Sequence, residues 1–554
     1  MKENRTKSFV TEALIISVSN LIVKIIGVVF KIPMSNLLQE SMGIFNAAYS
    51  IYAMLYMVST AGLPVAISRI VSQSREKKRS REVARVFSSG TKIFGIVGLV
   101  CFVFLYFASD AIAAYSKHAD AALAMKVISP TLFLVCVSSA VRGYFQGLKN
   151  MTPTAISQLI EAFFKMVIGL AGAYYAKKMN YSPITQAAFG ISGLTFGTLL
   201  STIYLLIYKM FSSTKISHPS LECDGYDQII RRLIRIAVPV TITSSALYFS
   251  QFLDTLVINK CLIDSGIAES TAEQLYASYT TLALSLSDLL PSTLVFPIAI
   301  SILPTVSASV SAGDYKKTKK YINNSVRISG IIALPCAFGL AAVAREAITL
   351  IYGAGWGKEI ILPSGTFMPI DIATVSLVIL AVGIIFISLL STTNALLQAC
   401  GLSYLPMISV CLGVIFLVII EISLVSIPQI GIYGAPIASV VCYIVALAVN
   451  MFFLRKKRGV SVSLIKLFRR PFVCAGLCGI SAYGTVKLFN HILGPSQQIQ
   501  GRMYAGISLA VGALVGAIVY AVALILCRGI RKEELCLLPK GYRLAAWLEK
   551  KGLM

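Results

Sequence analysis

Apolar residues run along this chain in stretches too long and too unbroken for amphipathic surface helices. A bilayer's hydrocarbon is crossed by about 20 helical residues. Read at that length, the pattern predicts helices over 10–34, 44–71, 87–115, 122–147, 152–176, 184–211, 230–260, 273–310, 322–352, 366–399, 404–427, 432–454, 468–493 and 502–529. The fold class expected is therefore an all-α integral membrane protein with fourteen transmembrane helices.

Charge in the connections gives direction. After the second predicted helix come Arg75, Lys77, Lys78, Arg79, Arg81, Arg85 and Lys92. After the eighth come Lys316, Lys317, Lys319, Lys320 and Arg327, and after the twelfth Arg455, Lys456, Lys457, Arg458, Lys466, Arg469 and Arg470. Segments 35–43, 261–272 and 428–431 contain neither Lys nor Arg, and Lys117, Lys177, Lys178 and Lys358 belong to no large cluster. The basic clusters all fall on even-numbered connections, which puts those connections and both termini in the cytoplasm. The opening apolar run follows Lys2, Arg5 and Lys7 but lacks a small-residue cleavage site, so it reads as a retained first helix.

The string "LPVAISRI" (63–70) returns as "FPIAISIL" (296–303), and "QGLKNMTP" (146–153) has an echo in "QACGLSYLP" (398–406). Both offsets are close to six helices, an even number, so the copies cross the membrane in the same sense. Two parallel six-helix lobes related by an axis along the membrane normal are a transporter architecture. The expected lobes are 1–215 and 216–460, with 461–554 holding two additional helices and a cytoplasmic tail.

Composition narrows the function. At 56% hydrophobic and 13% charged residues, with a mean hydropathy of +0.79, the chain is not a soluble globular domain. Its net charge of +25 sits in short connections, so the lipid bilayer and not nucleic acid is the expected partner. The 12 cysteines lie almost entirely in apolar runs without ligand spacing, and His118, His218 and His491 are far apart. Neither disulfides nor a zinc site is expected. A phosphate loop, an HExxH helix and a Ser/His/Asp set are all missing from the sequence, so an enzyme is not expected.

Polar residues inside the apolar runs are the candidate site. A Lys at a helix centre costs about 2.5–3.5 kcal/mol on insertion scales, so it needs water, a partner or a substrate. Ser17, Asn20, Lys24, Gly27 and Lys31 form one stripe at spacings of three and four. Gln158, Glu161 and Lys165 form a second, continued by Gly169 and Gly172; Glu161 and Lys165 are spaced to neutralise each other. Ser388, Ser391, Asn394 and Gln398 share a face, for which helix–helix hydrogen bonding is an alternative use. Gln251, Asp254, Asp288 and Glu421 follow in later runs. Lysine thus marks the first half and acid the second. The substrate-binding set expected is Ser17, Asn20, Lys24, Lys31, Gln158, Glu161, Lys165, Asn394 and Gln398, for an anionic ligand. Asp254, Glu421 and Asp288 are expected to handle a cation or proton.

The strings "GLPVAISRIVS" (62–72), "VRGYFQGLKNMTPTAISQLIE" (141–161) and "LPTVSASVSAGDYKKTKKYINNSVRISGIIALPCAFGL" (303–340) carry a resemblance over nearly the whole chain. The chain resembles the stage V sporulation protein B group, among the flippases of the multidrug/oligosaccharidyl-lipid/polysaccharide superfamily and related to the lipid II flippases. That resemblance implies a central cavity opened alternately to each side. It implies outward carriage of an undecaprenyl-diphosphate-linked sugar, lipid II first, by a monomer in the bacterial cytoplasmic membrane. It implies that the last two helices form a groove for the lipid tail. Lys24 resembles the first cavity arginine of the family, and Lys31 lies next to the place of the second. Tyr56 and Met57, and Leu284 and Ser285, stand where Gram-negative members carry arginine. Asp254 and Glu421 resemble carboxylates of the family's sodium site, with a proton as the other candidate coupling ion; no other cofactor is implied. Two other readings are a cation-coupled multidrug exporter and a non-transporting scaffold for envelope synthesis.

Overall fold

The computed structural model describes residues 18–20, 22–27, 29–31, 33–34, 37–38, 42–60, 62–115, 119–148, 150–212, 223–296, 306–307, 309–310, 313–353, 355–356, 359–362, 365–460, 462–493, 501–527 and 529. Ser17, the second copy of the Pro-x-Ala-Ile-Ser string and the C-terminal tail lie outside the described residues. Ten helices among the described residues are long and apolar enough to cross a membrane, and each overlies one span expected from the sequence. The chain is a multi-pass membrane protein. Many of its exposed side chains are large and apolar, among them Val100, Phe107, Ile480 and Leu514, as a surface solvated by lipid requires.

Several expected spans are interrupted. The span expected over 44–71 is two helices, Met42–Thr60 and Leu63–Glu76, with Pro64 in the first turn of the latter. The string "PVAIS" therefore opens a helix and does not close one. The interruption falls at Gly62, where a Cβ would sit 2.1 Å from the Ala237 carbonyl oxygen, so only glycine admits the approach. The span over 122–147 divides at Ser129 into Ala122–Ile128 and Pro130–Gly147, because Pro130 supplies no amide to continue the ladder. The span over 322–352 ends at Ala342 and resumes as Ala344–Tyr352. Within 273–310, Glu269–Ala277 passes into wide π-type turns at Ser278–Leu284 and Pro291–Val295.

The chain divides into two compact units, Met1–Phe252 and Leu253–Met554. In the first, Phe30, Met34 and Leu38 are buried on one face of the leading helical segment, at i, i+4 and i+8. Helices Thr152–Lys178 and Pro183–Phe211 form a close pair. A Cβ at Gly193 would meet the Gly169 backbone nitrogen at 2.5 Å, and one at Gly197 the Glu161 carbonyl oxygen at 2.7 Å. Small residues let these backbones touch, as membrane helix pairs require. At the basic end of this unit, buried Glu82 accepts from Ser74 at 2.8 Å and from Arg79 at 3.1 Å. Arg232 donates to Gln73 at 2.6 Å, tying the start of helix Tyr226–Asp264 to the same cluster.

In the second unit helix Pro369–Ala399 packs against both Tyr315–Ala342 and Gly434–Arg458. The last two helices, Leu464–Leu493 and Gly501–Leu526, pack on each other and on Tyr315–Ala342. The Tyr520 hydroxyl donates to the Ile331 carbonyl at 2.6 Å, and the Phe338 and Phe472 rings meet edge-on at 5.2 Å.

Candidate functional site

The first unit gathers its polar residues around Arg142. This side chain leaves helix Pro130–Gly147 and is 8% exposed, the only arginine of an otherwise apolar segment. Its Nε donates to Ser157 Oγ at 3.0 Å, and one terminal nitrogen donates to Glu161 Oε2 at 2.8 Å and Ser201 Oγ at 3.0 Å. The other carboxylate oxygen, Glu161 Oε1, accepts from Thr198 at 3.4 Å. Every partner lies on the close helix pair, so the glycine contacts above set this geometry. The Glu161–Lys165 neutralisation expected from sequence is replaced: the carboxylate pairs with Arg142, and the Lys165 ammonium lies 5.6 Å from the centre of the Phe30 ring. Arginine reaches a carboxylate through a planar fork, which a lysine one helical turn away does not match.

Tyrosines from helix Met42–Thr60 stand beside this cluster. Tyr49, Tyr52 and Tyr56 form a row with ring centres 6.0 Å and 5.7 Å apart. All three lie within electrostatic reach of Glu161, and Tyr49 also within reach of Lys31. Of the first predicted stripe, Asn20 and Lys31 are half-buried and Lys24 is exposed, while Ser17 lies outside the described residues. Gln158 is half-buried, with its carbonyl oxygen enclosed and without a hydrogen-bond partner among the described residues. Gly169 and Gly172, the tail of the second stripe, serve helix packing against Gly190 and Phe189. Arg142 and the tyrosines were missed from sequence. Arg142 had a signal of its own, a charge in an apolar run, with the same insertion cost that singles out Lys24.

In the second unit Asp254 and Glu421 are 3% and 0% exposed and adjoin each other, one on helix Tyr226–Asp264 and one on Tyr404–Val425. Asp254 Oδ1 and both Glu421 carboxylate oxygens are buried without a hydrogen-bond donor among the described residues. Two adjoining carboxylates in a low dielectric do not both stay ionised alone; they share a proton or take a hard cation between them. Tyr279 is close by, its hydroxyl 3.1 Å from that of Ser439. Asp288, expected with this pair, is exposed and has an electrostatic contact with Tyr443. No cluster of three or more His, Cys, Asp or Glu side chains suited to a metal occurs among the described residues. Asn394 takes the helix–helix role: Asn450 Nδ2 donates to its Oδ1 at 2.7 Å and to Thr393 Oγ1 at 3.0 Å. Gln398 is half-buried on the same helix.

The chain is similar to known proteins. The lipid II flippase MurJ of Bacillus subtilis (strain 168) is 24% identical over 525 residues, covering 91% of this chain and 93% of that protein. Stage V sporulation protein B of the same organism is 23% identical, over 96% of this chain and 98% of its own. Among solved structures, a lipid II flippase MurJ in an inward closed conformation superposes with a TM-score of 0.65, covering 93% of this chain and 99% of its own at 14% identity, so the fold is shared. A family model described as polysaccharide biosynthesis protein matches residues 9–310, more than half of the sequence and all of the Arg142–Glu161 cluster. On that match the chain belongs to the polysaccharide biosynthesis protein family.

Proposed function

We propose that this protein is a flippase that carries an undecaprenyl-diphosphate-linked cell-wall precursor, lipid II before other lipid-linked oligosaccharides, from the inner to the outer leaflet by alternating access. The observation that carries this reading is the charge of the first unit's polar interior. There Arg142, Lys165 and Lys31 accompany one carboxylate, Glu161, and three cations against one anion suit a pyrophosphate. Lys24, exposed on the leading segment, is a further cation for the same ligand. The names of the relatives, which span nearly all of this chain, support the same substrate class.

The finer architecture belongs to this reading: fourteen spans, parallel lobes over 1–215 and 216–460, two additional helices in 461–554, and both termini in the cytoplasm. The working unit is a monomer. The Asp254–Glu421 pair supplies coupling, and its donor-less oxygens fit either a shared proton or a sodium ion. A potential of 100 mV, negative inside, is worth about 2.3 kcal/mol per charge and favours exit of an anionic headgroup together with entry of a cation. The test is flipping in proteoliposomes, comparing lipid II with an unrelated undecaprenyl-linked glycan, each with and without sodium. Transport of both glycans at equal rates would remove lipid II from the proposal, and transport of neither would remove the flippase reading.

A further inference from the structure

The charges of the first unit address a diphosphate, yet its most regular feature is aromatic. Tyr49, Tyr52 and Tyr56 recur at i, i+3 and i+7 on one helix face, continued at the other end by Phe45, whose ring lies 6.4 Å from Tyr49 and 11° from parallel. Tyr49 is 41% exposed and opens the row to the surface, Tyr56 is half-buried, and Tyr52 between them and Phe45 beyond Tyr49 are 6% and 5% exposed. Among the described residues the hydroxyls of Tyr49 and Tyr52 have no hydrogen-bond partner, and neither is sealed in the interior. A phenol kept only for packing usually has its hydroxyl engaged once buried.

A ligand for this row must offer an apolar face to the rings and polar groups at its edge. A pyranose does both: its axial C–H bonds form a flat apolar face, and its hydroxyl and acetamido groups radiate around the rim. The Glu161 carboxylate and two available phenols supply acceptors and donors at that rim. An aromatic organic cation would also stack, but Lys31 and Lys165 on the adjoining helices repel it.

We infer that the Tyr49–Tyr52–Tyr56 row is a carbohydrate subsite that stacks a pyranose of the substrate's glycan headgroup beside the cations that hold its diphosphate. This rests on the flippase reading and adds the part of the substrate each group meets.

The test uses the full chain in nanodiscs with chitobiose, a disaccharide of N-acetylglucosamine, observed by saturation-transfer NMR. Transfer is expected to the C–H protons of a pyranose face, and chitobiose affinity is expected to fall about tenfold in Tyr49→Ala, near the upper range for one aromatic contact. Tyr49→Phe should retain most of it. Tyr174→Ala, a 59% exposed tyrosine elsewhere in the unit, should leave it unchanged. Equal transfer in wild type, Tyr49→Ala and Tyr52→Ala, with melting temperatures unaltered, would overturn the inference. Loss of ethidium binding in place of chitobiose binding would overturn it too. The proteoliposome assay separates the two claims. Flipping without a Tyr49-dependent chitobiose signal ends the subsite alone, and the signal without flipping ends the flippase reading alone.

Discussion

The Arg142 guanidinium donates to the Glu161 carboxylate at 2.8 Å, joining helix Pro130–Gly147 to helix Thr152–Lys178 inside the first unit. The serines at 157 and 201 take two more of its donors, so the group is held from three sides. Removing one partner of a buried pair leaves the other charge uncompensated, at about 3–5 kcal/mol. Both Arg142→Ala and Glu161→Gln should therefore lower the melting temperature in detergent, the second because the amide keeps an acceptor but leaves the more buried charge, the guanidinium, unpaired. Equal and small losses would show that the pair contributes little.

The close pair Thr152–Lys178 and Pro183–Phe211 depends on hydrogen atoms where side chains would stand. With the Gly169 nitrogen 2.5 Å from a Cβ at position 193, Gly193→Val forces the helices apart. Overpacking of this kind costs about 1–3 kcal/mol or more, and here it also displaces the acceptors of Arg142. Gly476→Ala is the control, since a Cβ there meets nothing within 4 Å. Scanning fluorimetry should show a marked loss for the first and none for the second.

Asp254 and Glu421 give opposite signs for stability and transport. Replacing one of two adjoining buried carboxyls by its amide removes a charge that is costly to bury, so Asp254→Asn or Glu421→Gln should leave thermal stability equal or raised. The same variants should lose the sodium or pH dependence of flipping. A variant that unfolds, or that keeps the wild-type response to sodium and pH, would contradict the coupling role.

A pH effect is expected at Asp314, which caps helix Tyr315–Ala342 outside the apolar core. Its carboxylate accepts from the Lys317 amide at 3.0 Å and pairs with the Lys317 ammonium at 2.9 Å, and these hold its pKa below the ordinary aspartate value, the amide foremost. Because the folded pKa is depressed, the cap stabilises fully above the unfolded aspartate pKa of about 3.9 and is lost as pH falls through the folded value. Protection factors of amides 315–318, corrected for the intrinsic pH dependence of exchange, should be flat from neutral pH to about 4 and fall below it. Asp314→Ala should show low protection throughout.

Much of the fold was legible because lipid enforces the pattern. Helices such as Pro369–Ala399 and Tyr404–Val425 are apolar over their length, and only a helix satisfies the backbone of a single segment by itself in hydrocarbon. The interruption at Gly62 was not legible, because the close approach of Ala237 involves residues far apart in the sequence, whereas Pro130 marked the one at Ser129. The candidate site divides the same way. Asp254 and Glu421 stood out as acids in apolar runs, and they adjoin. Helical spacing suggested Lys165 as the partner of Glu161, but the partner is Arg142 on the preceding helix, because i,i+4 proximity says nothing about a guanidinium arriving from outside. Asn394 shows the converse: its face reads as polar in sequence, and Asn450 takes its amide oxygen.

The central claim, that cations of the leading helices hold a lipid pyrophosphate during its passage, is tested most directly by a leaflet-resolved flipping assay with fluorescent lipid II, comparing wild type with Lys24→Ala. The account expects wild-type proteoliposomes to expose the label to a membrane-impermeant quencher and the folded variant to leave it protected, at the level of protein-free vesicles. Full flipping by Lys24→Ala would contradict it, as would a wild-type protein that moves no lipid II.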